Sequence, residues 1–122
     1  MAGTSEAAIS RVAAYSFGAI YDNYVAKVER KGKSVSDLRH LLTWLTGYDD
    51  AALDKAISDG RTMEDFFINA PLMNPKANQI TGVICGVRVE EIENPFMKQV
   101  RWMDKIVDEL AKGKKMESIT RS

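Results

Sequence analysis

The feature that most constrains the fold is a series of helix start and stop signals that divides the chain of 122 residues into short segments. Segments with apolar residues at helical spacing end at glycines: Gly32, Gly47, Gly60 and Gly113. Asn74-Pro75 and Asn94-Pro95 each place a capping asparagine before a proline that suits the first helical position. The pattern predicts an all-α fold, a single compact domain of about six helices joined by short turns.

The predicted helices cover about residues 12–31, 34–46, 49–59, 62–67, 75–86 and 95–112. Residues 87–89 are a candidate extended piece, but a single strand has nothing to pair with. The whole chain, residues 1–122, is predicted to be one helical domain with loose ends at about 1–8 and 115–122.

The charge balance limits the classes of partner. The chain has 17 basic and 17 acidic residues, so no global field favours nucleic acid or an acidic membrane as a partner. Helices 34–46 and 49–59 superficially resemble a helix-turn-helix, but the second carries four aspartates against Lys55 and would repel phosphates. Locally, residues 49–59 and 90–93 are acidic and the end from Lys112 is basic.

Cys85 is the one cysteine of the chain, so no internal disulfide can form and a reducing cytoplasm is the expected location. The first residues lack a basic secretory n-region, and the apolar runs are too short to cross a bilayer. Within the predicted helix 75–86, Gly82 and Gly86 would let another helix approach closely, with Cys85 as a small apolar filler. A reactive thiol is the less favoured alternative. The sequence predicts no metal site and no cofactor.

His40 is the one histidine, and it points away from the leucine stripe of its helix. Asp37 and Trp44 lie three residues before and four after it, so their side chains can touch the imidazole. A solvated surface histidine is the ordinary interpretation. The alternative is a small enzyme or ligand-binding protein whose pocket combines His40 and Trp44 with Arg88, Glu90 and tyrosines of the first helix.

The last long helix has an unusually wide apolar face. Its stripe consists of Phe96, Val100, Met103, Val107 and Leu110, and Trp102 and Ile106 lie beside that stripe. Such a helix is either central to the core or packs against a partner. The favoured hypothesis is therefore a non-enzymatic interaction or regulatory domain that binds a protein partner or forms a homodimer, with Trp102 and Ile106 at the interface and no catalytic residue assigned.

Several segments of the sequence resemble those of a small, mainly bacterial family known as domain of unknown function 2200. They are WLTGYD at 44–49, ITGVICGVRVEEIE at 80–93, DKIVDELAKGK at 104–114 and YVAKVERKG at 24–32, so the resemblance spans roughly residues 10–118. Members tend to carry proline after the tyrosine that matches Tyr21, where this chain has Asp22. The resemblance implies a compact, helical, cytoplasmic domain and supplies no catalytic residues.

Overall fold

The computed structural model describes residues 5–121, which fold around one long central helix. The described residues form seven α-helices: α1 (Glu6–Ala14), α2 (Phe17–Arg30), α3 (Val35–Thr46), α4 (Asp50–Ser58), α5 (Met63–Ile68), α6 (Pro95–Ala111) and α7 (Met116–Ile119). Helix α6 packs against α2, α3, α5, α7 and a small β-hairpin. The predicted all-α fold and single compact domain are confirmed.

Four helices begin where their capping signals predict. Side-chain oxygens of Ser34, Asp49, Thr62 and Asn94 accept backbone N–H groups at the starts of α3, α4, α5 and α6. These bonds satisfy donors that have no partner within the helix, and each is worth about 1 kcal/mol. Short polar side chains therefore set the boundaries of the elements that carry the core.

The prediction of one helix over residues 12–31 is wrong, because the chain breaks at Ser16. The Phe17 amide donates to the carbonyl of Arg61, and the Met63 amide donates to the carbonyl of Tyr15. Ser16 then caps α2 by accepting from the Ala19 amide at 3.2 Å. The backbone at the break thus bonds to a distant segment instead of continuing the helix.

The prediction of a helix over residues 75–86 is also wrong. The segment begins with a 3₁₀ turn at Pro75–Gln79 and continues into strands β1 (Val83–Ile84) and β2 (Val87–Arg88), which pair antiparallel. Val83 lies opposite Arg88, so the candidate extended piece does have a partner. The turn residues Cys85 and Gly86 both have positive φ, at 53° and 78°, as a type I′ hairpin turn requires.

The chain end that was predicted to be loose contains α7, and Ile119 is fully buried against the core. At the other end, α1 already begins at Glu6, and residues 1–4 of the predicted loose end lie outside the described part of the chain.

The core follows the predicted α6 stripe. Val100, Met103, Val107 and Leu110 are buried, while Phe96 is half-buried. In the same core three aromatic rings form a column. Phe66 stacks between Phe17 at 3.7 Å and Tyr48 at 4.8 Å between ring centroids, and the Tyr48 hydroxyl donates to the Phe66 carbonyl at 2.6 Å. This column joins α2, α5 and the loop after α3.

Candidate functional site

His40 lies on the exposed face of α3, beside an open groove where α3 meets the start of α4. The groove has a volume of about 440 Å³ and is lined by Ser36, Arg39, His40, Thr43 and Asp50. The Thr43 hydroxyl donates to the His40 carbonyl, but the imidazole itself makes no hydrogen bond within residues 5–121. The imidazole is exposed at the edge of the groove.

Arg39 fixes the electrostatics of this groove. Its guanidinium donates to Asp54 at 2.7 Å, to the Asp50 carbonyl at 3.2 Å and to the Tyr21 hydroxyl at 3.5 Å. The hydrogen bond with Tyr21 and the pairing with Asp54 raise the pKa of Arg39 above its ordinary value. Arg39 and Asp50 are the basic and acidic residues that line the groove, and their opposite charges offset each other.

Arg88 and Glu90 do not line the His40 groove. Glu90 accepts from the Gly82 amide at 3.0 Å, and this bond lowers the pKa of its carboxyl group. Arg88 pairs loosely with Glu90 at 3.8 Å on the surface. Glu90 therefore ties the segment after the hairpin to the residue before it, whereas the exposed pair with Arg88 contributes little. Trp44 is half-buried against the core, and its carbonyl accepts from Asn74. The predicted pocket is thus split between two places.

The two residues predicted for an interface differ in exposure. Ile106 is fully buried inside the chain, so it offers no surface to a partner. Trp102 is half-buried against the core, and its indole Nε1 is buried without a hydrogen-bond partner within residues 5–121. The wide apolar arc of α6 is therefore explained mainly by its central place in the core.

A polar network between α2 and α6 was missed by sequence reasoning. The Tyr24 hydroxyl donates to Asp104 at 2.6 Å, and Arg101 donates to Asp104 at 2.7 Å and contacts the Cys85 sulfur at 3.7 Å. Burial, reinforced by Asp104, raises the pKa of Tyr24 well above its ordinary value, so its hydroxyl remains a donor. Arg101 and Asp104 are three apart in the sequence, and that spacing was the one available signal. Cys85 is exposed at the hairpin turn, so its predicted role as a filler between helices is wrong.

A second missed cluster surrounds Glu109, whose side chain is only 2% exposed. Arg121 binds both carboxylate oxygens, at 2.6 and 3.0 Å, and Lys105 and Lys114 lie at 3.8 and 3.4 Å. The cluster ties the end of the described chain to α6. Its members are spread over residues 105–121, so their meeting depends on the turn between α6 and α7.

Apolar side chains are exposed at and after the end of α5. Ile68 and Leu72 are 71% and 70% exposed. Ile68 borders a groove of about 270 Å³ whose lining includes Phe67 and Phe96, with ring centroids 6.2 Å apart. We call these four residues the α5 surface. Large apolar side chains exposed beside an aromatic groove are typical of interaction sites.

Within residues 5–121, no group of three or more His, Cys, Asp and Glu side chains is arranged to hold a metal ion. In the same range, none of the helices has the length and apolar character that a membrane span needs.

The comparisons with known proteins agree with the resemblance seen in the sequence. The crystal structure of the uncharacterized protein SP1917 is similar to this fold, with a TM-score of 0.86, 40% sequence identity and 92% of each chain covered. No curated protein matches the chain. A family model described as uncharacterized protein conserved in bacteria, DUF2200, matches residues 11–121. The chain therefore belongs to the DUF2200 family of uncharacterized bacterial proteins.

Proposed function

We propose that the protein is a non-enzymatic interaction domain that forms a homodimer through the α5 surface. The observation that carries this proposal is the 71% exposure of Ile68 at the edge of the Phe67–Phe96 groove, together with Leu72, which is 70% exposed four residues further along the chain. Apolar surface removed from water contributes about 25 cal/mol per Å². The alternative of a small enzyme or ligand-binding protein has weaker support, because Arg88 and Glu90 do not line the His40 groove.

The α5 surface is held in place before any partner arrives. The Leu72 amide donates to the Thr46 carbonyl at 3.1 Å, which pins the segment to the end of α3. A Cβ at Gly47 would lie only 2.8 Å from the Leu72 nitrogen, so the close approach of these backbones requires glycine. A fixed surface loses little conformational entropy on binding.

A second copy of the chain is the occupant we propose. In a two-fold dimer one patch meets itself, so the α5 surface alone can form the centre of such an interface. A standard interface buries about 800 Å² per partner. The described chain exposes 6549 Å², so a dimer would cover only a small fraction of it.

Sedimentation equilibrium tests the proposal with a matched pair of variants. We expect the wild-type chain to be a dimer at about 100 μM, and Ile68→Asp to be a monomer because a buried unpaired carboxylate costs several kcal/mol. The control is Val83→Asp, because Val83 is also an exposed apolar residue, at 52%, but lies on the hairpin. This control should remain dimeric.

A monomeric wild-type chain at that concentration would overturn the homodimer. A dimer that survives Ile68→Asp would contradict the α5 surface and return the interface to the Trp102 face of α6. Loss of the dimer in both variants would contradict a specific role for Ile68.

We infer that this domain works in the cytoplasm. The support is the single cysteine, which is exposed at the hairpin turn and has no second thiol in the chain with which to form a disulfide. Maleimide labelling of intact cells checks this location. We expect a membrane-permeant reagent to label Cys85 and an impermeant one to leave it unlabelled, and labelling by the impermeant reagent would contradict the inference.

A further inference from the structure

The ends of α2 and α6 carry the same three-residue sequence. Lys31-Gly32-Lys33 ends α2 and Lys112-Gly113-Lys114 ends α6, with positive φ of 73° and 90° at the glycines. The two turns lie side by side, because Lys33 Nζ is 3.5 Å from the position that a Cβ at Gly113 would occupy. We call residues 27–33 and 108–121 the basic end.

The basic end separates charge in a chain that is neutral overall. It contains eight basic and four acidic residues, a net charge of +4, so the remaining residues carry −4. The basic residues are Lys27, Arg30, Lys31, Lys33, Lys112, Lys114, Lys115 and Arg121, and the acidic ones are Glu29, Asp108, Glu109 and Glu117.

Ion pairs engage only half of these cations, and those four share two carboxylates. Asp108 binds Lys27 at 3.1 Å and Lys112 at 2.9 Å, while Glu109 binds Lys114 and Arg121. The other four basic side chains have no ion pair among the residues that the structure describes. They are Arg30, Lys31, Lys33 and Lys115.

The helix dipole does not account for this charge. A helix C-terminus carries roughly −0.5 of an elementary charge, so the ends of α2 and α6 together offset about one of the four net positive charges. About three positive charges remain on the surface without a counterpart in the fold.

We propose that the basic end is a docking surface for an acidic segment of another protein. A long nucleic acid is the poorer occupant, because it would extend beyond the basic end onto the rest of the chain, whose residues sum to −4. Residues 27–33 and 108–121 also contain no aromatic side chain on which a base could stack. A short acidic segment meets neither obstacle, since it needs only local charge complementarity.

Fluorescence anisotropy with two labelled probes tests the proposal on the full chain. One probe is a peptide of about 12 residues alternating glutamate and serine, and the other is a single-stranded RNA of similar length. We expect the peptide to bind about tenfold more weakly at 300 mM than at 50 mM salt, because exposed charges are screened. The RNA should bind more weakly than the peptide at both salt concentrations.

Two triple variants with the same change in net charge separate the basic end from general charge. Lys31→Glu, Lys33→Glu and Lys115→Glu should together weaken peptide binding by about tenfold or more. Lys55→Glu, Lys76→Glu and Lys98→Glu change cations outside the basic end that also lack an ion pair within residues 5–121, and should change binding by less than about twofold.

Three results would overturn the proposal. They are no peptide binding to the wild-type chain at 50 mM salt, equal weakening by the two triple variants, and tighter binding of the RNA than of the peptide. Thermal unfolding of both variants checks that each is folded. The peptide-binding test does not depend on the homodimer proposal, because none of the substituted residues belongs to the α5 surface.

Discussion

Glu109 joins the end of the described chain to α6 through a carboxylate that is almost completely buried. Taking such a charge out of water costs several kcal/mol unless it is paired and hydrogen-bonded. Arg121 forms a bidentate pair with the carboxylate, and Lys105 and Lys114 add further positive charge. The site is therefore favourable only while all of its charges are present, and removing the anion leaves three cations close together.

We predict that Glu109→Gln lowers the free energy of unfolding by about 2–4 kcal/mol, because it breaks a buried ion pair on one side. Urea unfolding measures that loss. Trypsin should also cleave faster after Lys115, since α7 is no longer held.

Arg121→Gln is the matched variant for this cluster. It removes the strongest contact to Glu109 and should be destabilising on its own. The double variant should lose less free energy of unfolding than the sum of the losses in the two single variants, because both substitutions break the same ion pair. Additive losses would show that the two side chains are not coupled and would contradict the role given to Glu109.

At the scale of elements, capping signals predicted more than periodicity did. Ser34, Asp49 and Asn94 mark helix starts because their side-chain oxygens accept from backbone N–H groups in the first turn of the helix. Such a bond joins residues two or three apart, so it can be recognised from the sequence. The break at Ser16 was missed because its bonds reach residues near Thr62, more than 40 positions away. Contacts of that kind depend on the finished fold.

The hairpin shows why residues 75–86 were mispredicted. Two strands of two residues each carry too little alternation to be recognised, and an isolated hairpin is at best marginally stable. This one is supported by α6, since Lys105 lies against Gly82 and Val89 is fully buried. Gly86 was the available signal, because type I′ hairpin turns favour glycine at the second central position, but Cys85 stands where asparagine or aspartate is usual.

For the candidate site, the sequence predicted the exposure of one residue, but not which residues lie around it in the folded chain. His40 was correctly placed on the outer face of α3, but its groove depends on how α3 and α4 meet. The α5 surface was not predicted at all, because exposure of Ile68 and Leu72 follows from what the other elements leave uncovered.

The charge distribution belongs to the whole molecule. The sequence identified the basic run from Lys112, but its proximity to Lys33 depends on the packing of α2 against α6. Overall neutrality therefore conceals a basic end with a net charge of +4, balanced by −4 spread over the rest of the chain. Such a molecule has no strong global field, yet it can present a basic surface to one partner and an acidic surface to another.

Several carboxyl groups link the stability of the whole domain to pH. Burial alone would raise the pKa of Asp108, but its bonds with Lys112 and Lys27 outweigh burial and lower the pKa below the ordinary value. Hydrogen bonds from Arg61 lower the pKa of Asp59 to about 2. Because the folded state keeps these groups ionised to lower pH, the unfolded state binds more protons in acid. Their contribution is present above pH 4 or so and is lost as pH falls toward 2.

Asp108→Asn isolates one of these contributions, because it removes the anion that joins Lys27 to Lys112. At pH 7 we expect the variant to melt about 4 °C or more below the wild-type chain, which corresponds to roughly 1 kcal/mol for a domain of this size. The gap should narrow as pH falls from 4 to 2, because the wild-type carboxyl becomes protonated and loses the same ion pairs. Thermal unfolding followed by circular dichroism across that pH range measures the difference in melting temperature between the two proteins. A gap that stays constant down to pH 2 would contradict the role of the Asp108 charge, since only a loss of packing would then explain the difference.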